Sequence, residues 1–316
     1  MAKRREFIQV CSVATAGVLF TKPLKTIAGI SRYAFSNISN MVTLFHTNDL
    51  HGNTEPFTIG KINGLGGLDN VTAFLKKNSS SHILLDAGDF LNDNASITEH
   101  KKFIDKMNKT GYHAAAVGNR ELSNGQAYLA SLIDLINFKL INCNYEFSDP
   151  VLKNKIVPYH IIKYGAFKIG ITGIGIRLNN SFSNGIVFHP PYQKANETAT
   201  YLKKQLKCNL VICLSHLGFD QKKAETDNKR FAVESENIDV IISGHNDAIK
   251  DTQLILRNKN NHEVIISHAG WGGLMMGKLS LTFDENRNKR LFRSKNYIPG
   301  LHADKLFYQE YQKIIA

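Results

Sequence analysis

Leu44-Phe45-His46-Thr47-Asn48-Asp49-Leu50-His51-Gly52 runs from an apolar segment directly into polar side chains that can hold a cation. Residues 42–46 read as a strand, and Asp49 and His51 follow it with one oxygen and one imidazole donor. The same arrangement recurs along the chain. Residues 82–86 lead into Gly88-Asp89, 113–117 into Gly118-Asn119-Arg120-Glu121, 210–214 into Ser215-His216, and 240–242 into Gly244-His245 with Asp247 two residues on. In open α/β sheets, ligands gather beyond the carboxyl ends of the strands. Donors far apart in sequence are therefore expected to converge on one crevice, with glycines at 52, 88, 118 and 244 allowing tight turns and close backbone approach.

Asp49, His51, Asp89, Asn119, His216, His245 and Asp247 together supply seven oxygen or imidazole donors and no thiolate. Two adjacent divalent ions need that many when one carboxylate bridges them. The donor chemistry suits Zn, Mn, Fe or Co rather than a structural zinc knot. Two such ions roughly 3.5–4 Å apart can clamp a phosphoryl oxygen and activate a water. Each short stretch alone carries little weight. Their occurrence in order, each at a strand end, carries the reading.

Between these strands, residues 68–77, 98–110, 125–136, 193–206 and 220–233 show helical periodicity. Residues 139–142 and 168–173 are further short apolar runs. Several of the runs are continuous rather than alternating, as expected of strands covered on both faces. From residue 253 the pattern changes: 253–256, 264–268, 278–283 and 291–296 read as strands without helices between them, and 303–315 as a closing helix. A mixed α/β architecture follows, with two stacked sheets and helices outside. One catalytic domain spans about 41–300, and 301–316 form a C-terminal helix.

The 316 residues carry a formal charge of +12, with 43% hydrophobic and 21% charged side chains. Residues 1–35 contain Lys3, Arg4, Arg5, Lys22, Lys25 and Arg32 against one acid, Glu6; without them 33 basic residues face 26 acidic ones. The remaining charge is scattered, as in Lys203-Lys204, and no basic run interleaves with aromatics, so a nucleic-acid partner is not expected. Arg4-Arg5 precedes a short apolar run over 10–20 that is too short to span a bilayer as a mature helix. Residues 1–35 are thus expected to form a twin-arginine export signal and linker. This places the protein in the periplasm or otherwise outside the cytoplasm, in contact with membrane only during export. Of the four cysteines, Cys11 lies in this segment. Cys143, Cys208 and Cys213 lack paired zinc spacing, and Cys213 reads as a buried small hydrophobe.

The opening stretch, Leu85-Asp86-Ala87-Gly88-Asp89, Gly118-Asn119-x-Glu121, Leu214-Ser215-His216-Leu217-Gly218, 239–245, Ala269-Gly270 and Met276-Gly277-Lys278-Leu279 resemble, in order and spacing, the calcineurin-like metallophosphoesterases of the 5′-nucleotidase and UDP-sugar hydrolase group. The resemblance covers about 41–284 and implies a four-layer α/β/β/α sandwich with mixed sheets. By carry-over, Asp49, His51, Asp89 and Asp247 hold one divalent ion. Asp89, Asn119, His216 and His245 hold the other, with Asp89 bridging. It also implies hydrolysis of nucleotide or related phosphate esters by direct attack of metal-activated water.

Three departures qualify that expectation. The family pattern Gly-Asn-His-Glu-Phe-Asp reads Gly118-Asn119-Arg120-Glu121-Leu122-Ser123 here. Arg120, at the position of the family's histidine, and Asn119 are the candidate catalytic residues. Arginine binds phosphoryl charge but donates no proton at working pH, and loss of acid catalysis typically costs about 10²–10⁴ in rate. Asp247 stands where Gln or His is common, lowering the site's charge by one where Arg120 raises it. Long members carry a further C-terminal domain with the nucleotide-base pocket. A separately encoded domain of that kind is the expected partner, and a metal-binding but catalytically weak protein is the alternative reading.

Overall fold

The computed structural model describes residues 40–78, 81–179, 184–220, 226–246, 249, 253–300, 307 and 311. Two six-stranded mixed sheets form its centre. In the first, β1 (Met41–Thr47), β4 (Ile83–Asp86), β5 (Ala114–Ala116) and β6 (Lys139–Ile141) are parallel. Antiparallel β15 (Met276–Phe283) and β16 (Lys289–Tyr297) extend it beyond β1. In the second, β9 (Phe167–Gly175), β11 (Leu210–His216), β12 (Val240–Ser243) and β14 (Glu263–His268) are parallel. Antiparallel β8 (Tyr159–Tyr164) and β13 (Leu254–Arg257) form its edges.

Alternation along each strand sorts side chains into layers. Val42 and Leu44 join Ile83, Leu85, Ile169, Ile171, Ile212, Leu214 and Ile242 in a core between the sheets. Phe45 and Leu84 point the other way, onto α1 (Gly67–Lys77), α2 (Ile97–Thr110) and α3 (Gln126–Ile133) through Leu68, Phe103, Ile104 and Leu129. Val211, Cys213 and Ile241 meet α5 (Pro191–Thr200) and α6 (Asn228–Glu234) through Ala195, Ala199 and Phe231. The order is helix, sheet, sheet, helix, as expected. Burying Leu or Ile on both sheet faces stabilises by about 1.5–3 kcal/mol per side chain. Helix α2 shows the local logic: Ser96 and Glu99 form a capping box, and Gly111 ends the helix in the left-handed region.

One polar side chain sits among the inward-facing apolar residues of β1. His46, fully buried, places Nε2 2.7 Å from Ser267 Oγ on the opposing sheet. Burial, with His268 adding to it, pushes its pKa down to about 3, so the ring stays neutral at neutral pH.

Some element boundaries move. Of the helix expected over 220–233, residues 221–225 lie outside the described residues and Asn228–Glu234 is helical, capped by Asp227, which accepts the Arg230 N–H at 2.9 Å. The helix expected over 193–206 is α up to Thr200 and continues as a π turn over Tyr201–Gln205. Short strands β2 (Phe57–Ile59), β3 (Ile62–Leu65), β7 (Tyr145–Phe147) and β10 (Ile186–Phe188), with helix α4 (Pro150–Lys155), lie in stretches whose periodicity is too short to read. Edge strand β8 escapes the sequence pattern for the same reason. The export signal over 1–35 lies outside the described residues, as does the closing helix apart from Phe307 and Tyr311, which are buried. Among the described residues no helix is long and apolar enough to cross a membrane. Cys143, Cys208 and Cys213 are free thiols, Cys213 buried as expected.

Candidate metal centre

The loops after β1 and β4 stay paired beyond the sheet. Asp49, His51 and Gly52 donate their N–H groups to Gly88, Asp89 and Phe90 carbonyls at 3.0, 3.0 and 2.8 Å. This carries the alignment of the strands into the site and sets Asp49 beside Asp89. The second sheet closes in from the other side. His245 N–H reaches both Asp49 carboxylate oxygens at 3.1 Å, and His216 Nδ1 donates to the Ala87 carbonyl at 2.8 Å.

Two donor groups result, sharing one carboxylate. Asp49, His51 and Asp89 offer atoms within 4.8 Å of one another, and so do Asp89, His216 and His245. Asn119 Oδ1 adjoins the second group, 3.0 Å from His245 Nδ1. Six of the seven expected donors are therefore brought together. Asp247 lies outside the described residues.

The backbone is bent to achieve this. Among the described residues, eight non-glycine residues have positive φ, and four of them are Asp49, His51, Asp89 and His245. The left-handed region costs a non-glycine residue roughly 1–2 kcal/mol, so this concentration marks a place where strain is accepted for the sake of orientation. Gly118 is required for a different reason: a Cβ there would collide with Asp89 Oδ1.

His216 tests whether a cation fits. It is fully buried, and because Nδ1 gives its proton to Ala87, Nε2 is left as the ligating atom. Nε2 lies 3.1 Å from Asp89 Oδ2 and 4.0 Å from Asp49 Oδ1, yet it forms no hydrogen bond in that geometry. A buried imidazole nitrogen flanked by two carboxylates, one of them 3.1 Å away, is a donor set that fits a Lewis acid. Its Nδ1–carbonyl bond is the support that metal-bound histidines ordinarily have.

Electrostatics point the same way. Burial alone would lower the His216 pKa, but the Asp89 and Asp49 carboxylates outweigh it and lift the ring to about 10. Burial holds the Asp49 carboxyl up, with His216 partly offsetting it. Asp89 is opposed by burial and still held below the usual carboxylate range by His216 and the Arg120 N–H. Burial, then His216, push His245 down to about 4. A divalent ion bound there would have to displace any proton that these carboxylates hold on His216. Metal affinity should therefore rise with pH, since the proton must leave. Mn or Zn at about 1,000 times Kd should stabilise the fold by about 4 kcal/mol, or about 10 °C in Tm. A thermal shift that is absent, or larger at pH 6 than at pH 8, would count against this account.

Two supporting residues lie beyond what the sequence reading singled out. Glu121 is buried at 1% exposure and accepts the N–H groups of Asp89, Leu91 and Gly118 at 3.0, 2.9 and 2.8 Å, pinning the loops after β4 and β5. Asn48 donates to Asp49 Oδ2 at 2.7 Å and accepts from Ala269 N at 2.9 Å. Both stand inside the quoted motifs, so their place in sequence was the available signal.

The sequence profile of the calcineurin-like phosphoesterase family matches residues 42–248. A snake venom 5′-nucleotidase of Gloydius brevicauda is 27% identical over 280 residues, covering 78% of this chain and 46% of its own. The crystal structure of a 5′-nucleotidase precursor from Thermus thermophilus superposes with a TM-score of 0.71 at 22% identity, covering 87% of this chain and 59% of the other. That of a calcineurin-like phosphoesterase from Bacillus subtilis gives 0.66 at 20% identity, covering 86% and 97%. The chain spans about half the length of the curated relatives it matches.

Proposed function

The chain belongs to the calcineurin-like phosphoesterase family, and from that premise we propose that it is an exported dinuclear-metal phosphohydrolase acting on nucleotides or related phosphate esters. The observation that carries this reading is the pair of donor groups sharing Asp89, with the buried His216 Nε2 3.1 Å from that carboxylate. Asp49, His51, Asp89 and Asp247 would hold one ion, and Asp89, Asn119, His216 and His245 the other. Bound there, two divalent ions supply Lewis-acid charge for the phosphoryl oxygens and acidify a water for attack.

The chain's own residues do the rest. Asn48 and the His245 N–H hold the Asp49 carboxylate in one orientation, and Glu121 holds the Asp89 and Asn119 loops together. Arg120 presents a guanidinium beside Asp89, where it can take a phosphoryl oxygen. Selectivity between nucleobases would fall to a separate nucleotide-binding domain.

A second reading rests on one contact. Arg120 Nε lies 3.6 Å from Asp89 Oδ2, so a fixed cation already partly neutralises the carboxylate proposed to bridge. A metal-binding protein of weak activity follows if that contact persists.

One experiment separates the readings. Protein recovered outside the cytoplasm is assayed for metal content and for turnover of nucleoside monophosphates, UDP-sugars, cyclic nucleotides and an aryl phosphate. Two equivalents of metal, turnover, and little discrimination between bases are expected. Less than one equivalent sinks the metal-centre proposal. Two equivalents without turnover of any substrate leaves the second reading.

A further inference from the structure

Ser123 turns away from Arg120's side chain: its hydroxyl donates to the Arg120 carbonyl at 2.8 Å, closing the short turn Arg120–Leu122. The guanidinium finds its carboxylate on another loop. Arg120 Nη1 lies 3.2 Å from Asp93 Oδ2 while Nε lies 3.6 Å from Asp89 Oδ2, and the Arg120 N–H bonds Asp89 Oδ1 at 2.8 Å. The Asp93 loop is itself anchored. His100 on α2 is buried, with Nε2 2.8 Å from the Asn92 carbonyl and Nδ1 2.7 Å from the Tyr128 hydroxyl on α3. Side-chain exposure is 28% for Arg120 and 41% for Asp93, and an ion pair that exposed contributes little to folding. The contact is therefore better explained by what it does to Arg120 than by stability.

We propose that Asp93 is the positioning residue for Arg120, and that the pair suits the site to phosphoryl groups whose leaving oxygen departs without a proton, phosphoanhydrides ahead of alkyl monoesters. The proposal rests on the phosphohydrolase reading above. In hydrolysis the water oxygen forms the new bond to phosphorus and its proton passes to solvent. The phosphorus–oxygen bond to the leaving group breaks, and that oxygen keeps the electron pair. A guanidinium keeps all its protons, so it can bind phosphoryl charge but cannot protonate a departing alkoxide. A leaving phosphate is stable as the anion and needs no proton.

The test uses the metal-loaded full chain. Wild type should favour ADP over AMP, and para-nitrophenyl over phenyl phosphate by about 10²-fold in kcat/KM, while Arg120→His with Ser123→Asp should narrow the aryl ratio to about 10-fold. Asp93→Asn should lower kcat about 10-fold, the cost of a misplaced guanidinium, and Asp93→Glu should recover most of it. KM should not rise, and calorimetric affinity for inorganic phosphate should hold or improve, because a competing carboxylate has gone. Tm should not change. Equal rates across the aryl series, or Asp93→Asn leaving kcat untouched, overturns the proposal alone. A fall in kcat accompanied by higher KM and lower Tm makes Asp93 structural and also overturns it. Full metal content with no turnover of any substrate overturns the phosphohydrolase reading and this proposal with it.

Discussion

Asp89→Asn should lower kcat by about 10³-fold or more and cut metal uptake from two equivalents to one or none. Asp89 is the carboxylate common to both donor groups, and its Oδ2 lies 3.1 Å from His216 Nε2. An amide keeps the shape but loses the charge, and its nitrogen cannot ligate. Two divalent ions held by these donor groups would then have one carboxylate fewer between them. Metal charge on a reacting phosphoryl group is worth several kcal/mol in the transition state, and about 4 kcal/mol corresponds to about 10³ in rate. The measurement is metal content with steady-state kinetics on the best substrate of the panel. A variant that keeps two equivalents and a tenth of the activity would show that Asp89 does not bridge.

Glu121→Ala should destabilise the fold by about 3–5 kcal/mol and abolish tight metal binding. The carboxylate, 1% exposed, accepts three backbone N–H groups from two loops. Truncation leaves all three buried without partners, each at about 1–3 kcal/mol, a total comparable to breaking other buried charged networks. Against a typical stability of about 5–15 kcal/mol this is a large share. Glu121→Gln should cost less, because its one oxygen can still serve Asp89 and Gly118 while its amide meets the Leu91 N–H donor to donor. Urea unfolding midpoints with and without metal would measure both. A loss below about 1 kcal/mol for the alanine variant would remove Glu121 from the architecture of the site.

How much of this was legible follows from the range of each signal. Strands of continuous apolar residues announce burial on both faces, and residues 210–214 did so because such a run is a local property. The donors at their ends were legible for the same reason: a strand end, a glycine and a ligating side chain are neighbours in sequence. The start of the helix Asn228–Glu234 depends on one cap, Asp227 on the Arg230 N–H, which hydrophobic periodicity does not mark. The short strands and the Pro150–Lys155 helix carry too few residues to show a period at all.

Pairings between distant loops leave no trace of that kind. Glu121 stands within a motif, yet nothing local to it says that it binds Asp89 and Leu91 some 30 residues earlier. Arg120 was visible as a departure, but its partner Asp93 was not, because an ion pair between two loops has no sequence period. That His216 turns Nε2 to the carboxylates could be recognised only once Nδ1 was seen to be occupied by the Ala87 carbonyl of the other sheet. By itself, then, the sequence determined the layered α/β fold and named the candidate donors, because strand patterning and ligand chemistry are written residue by residue. Which imidazole nitrogen faces the carboxylates and what holds the arginine were decided by tertiary structure alone, because each depends on distances between chain segments that only the packing of the two sheets sets.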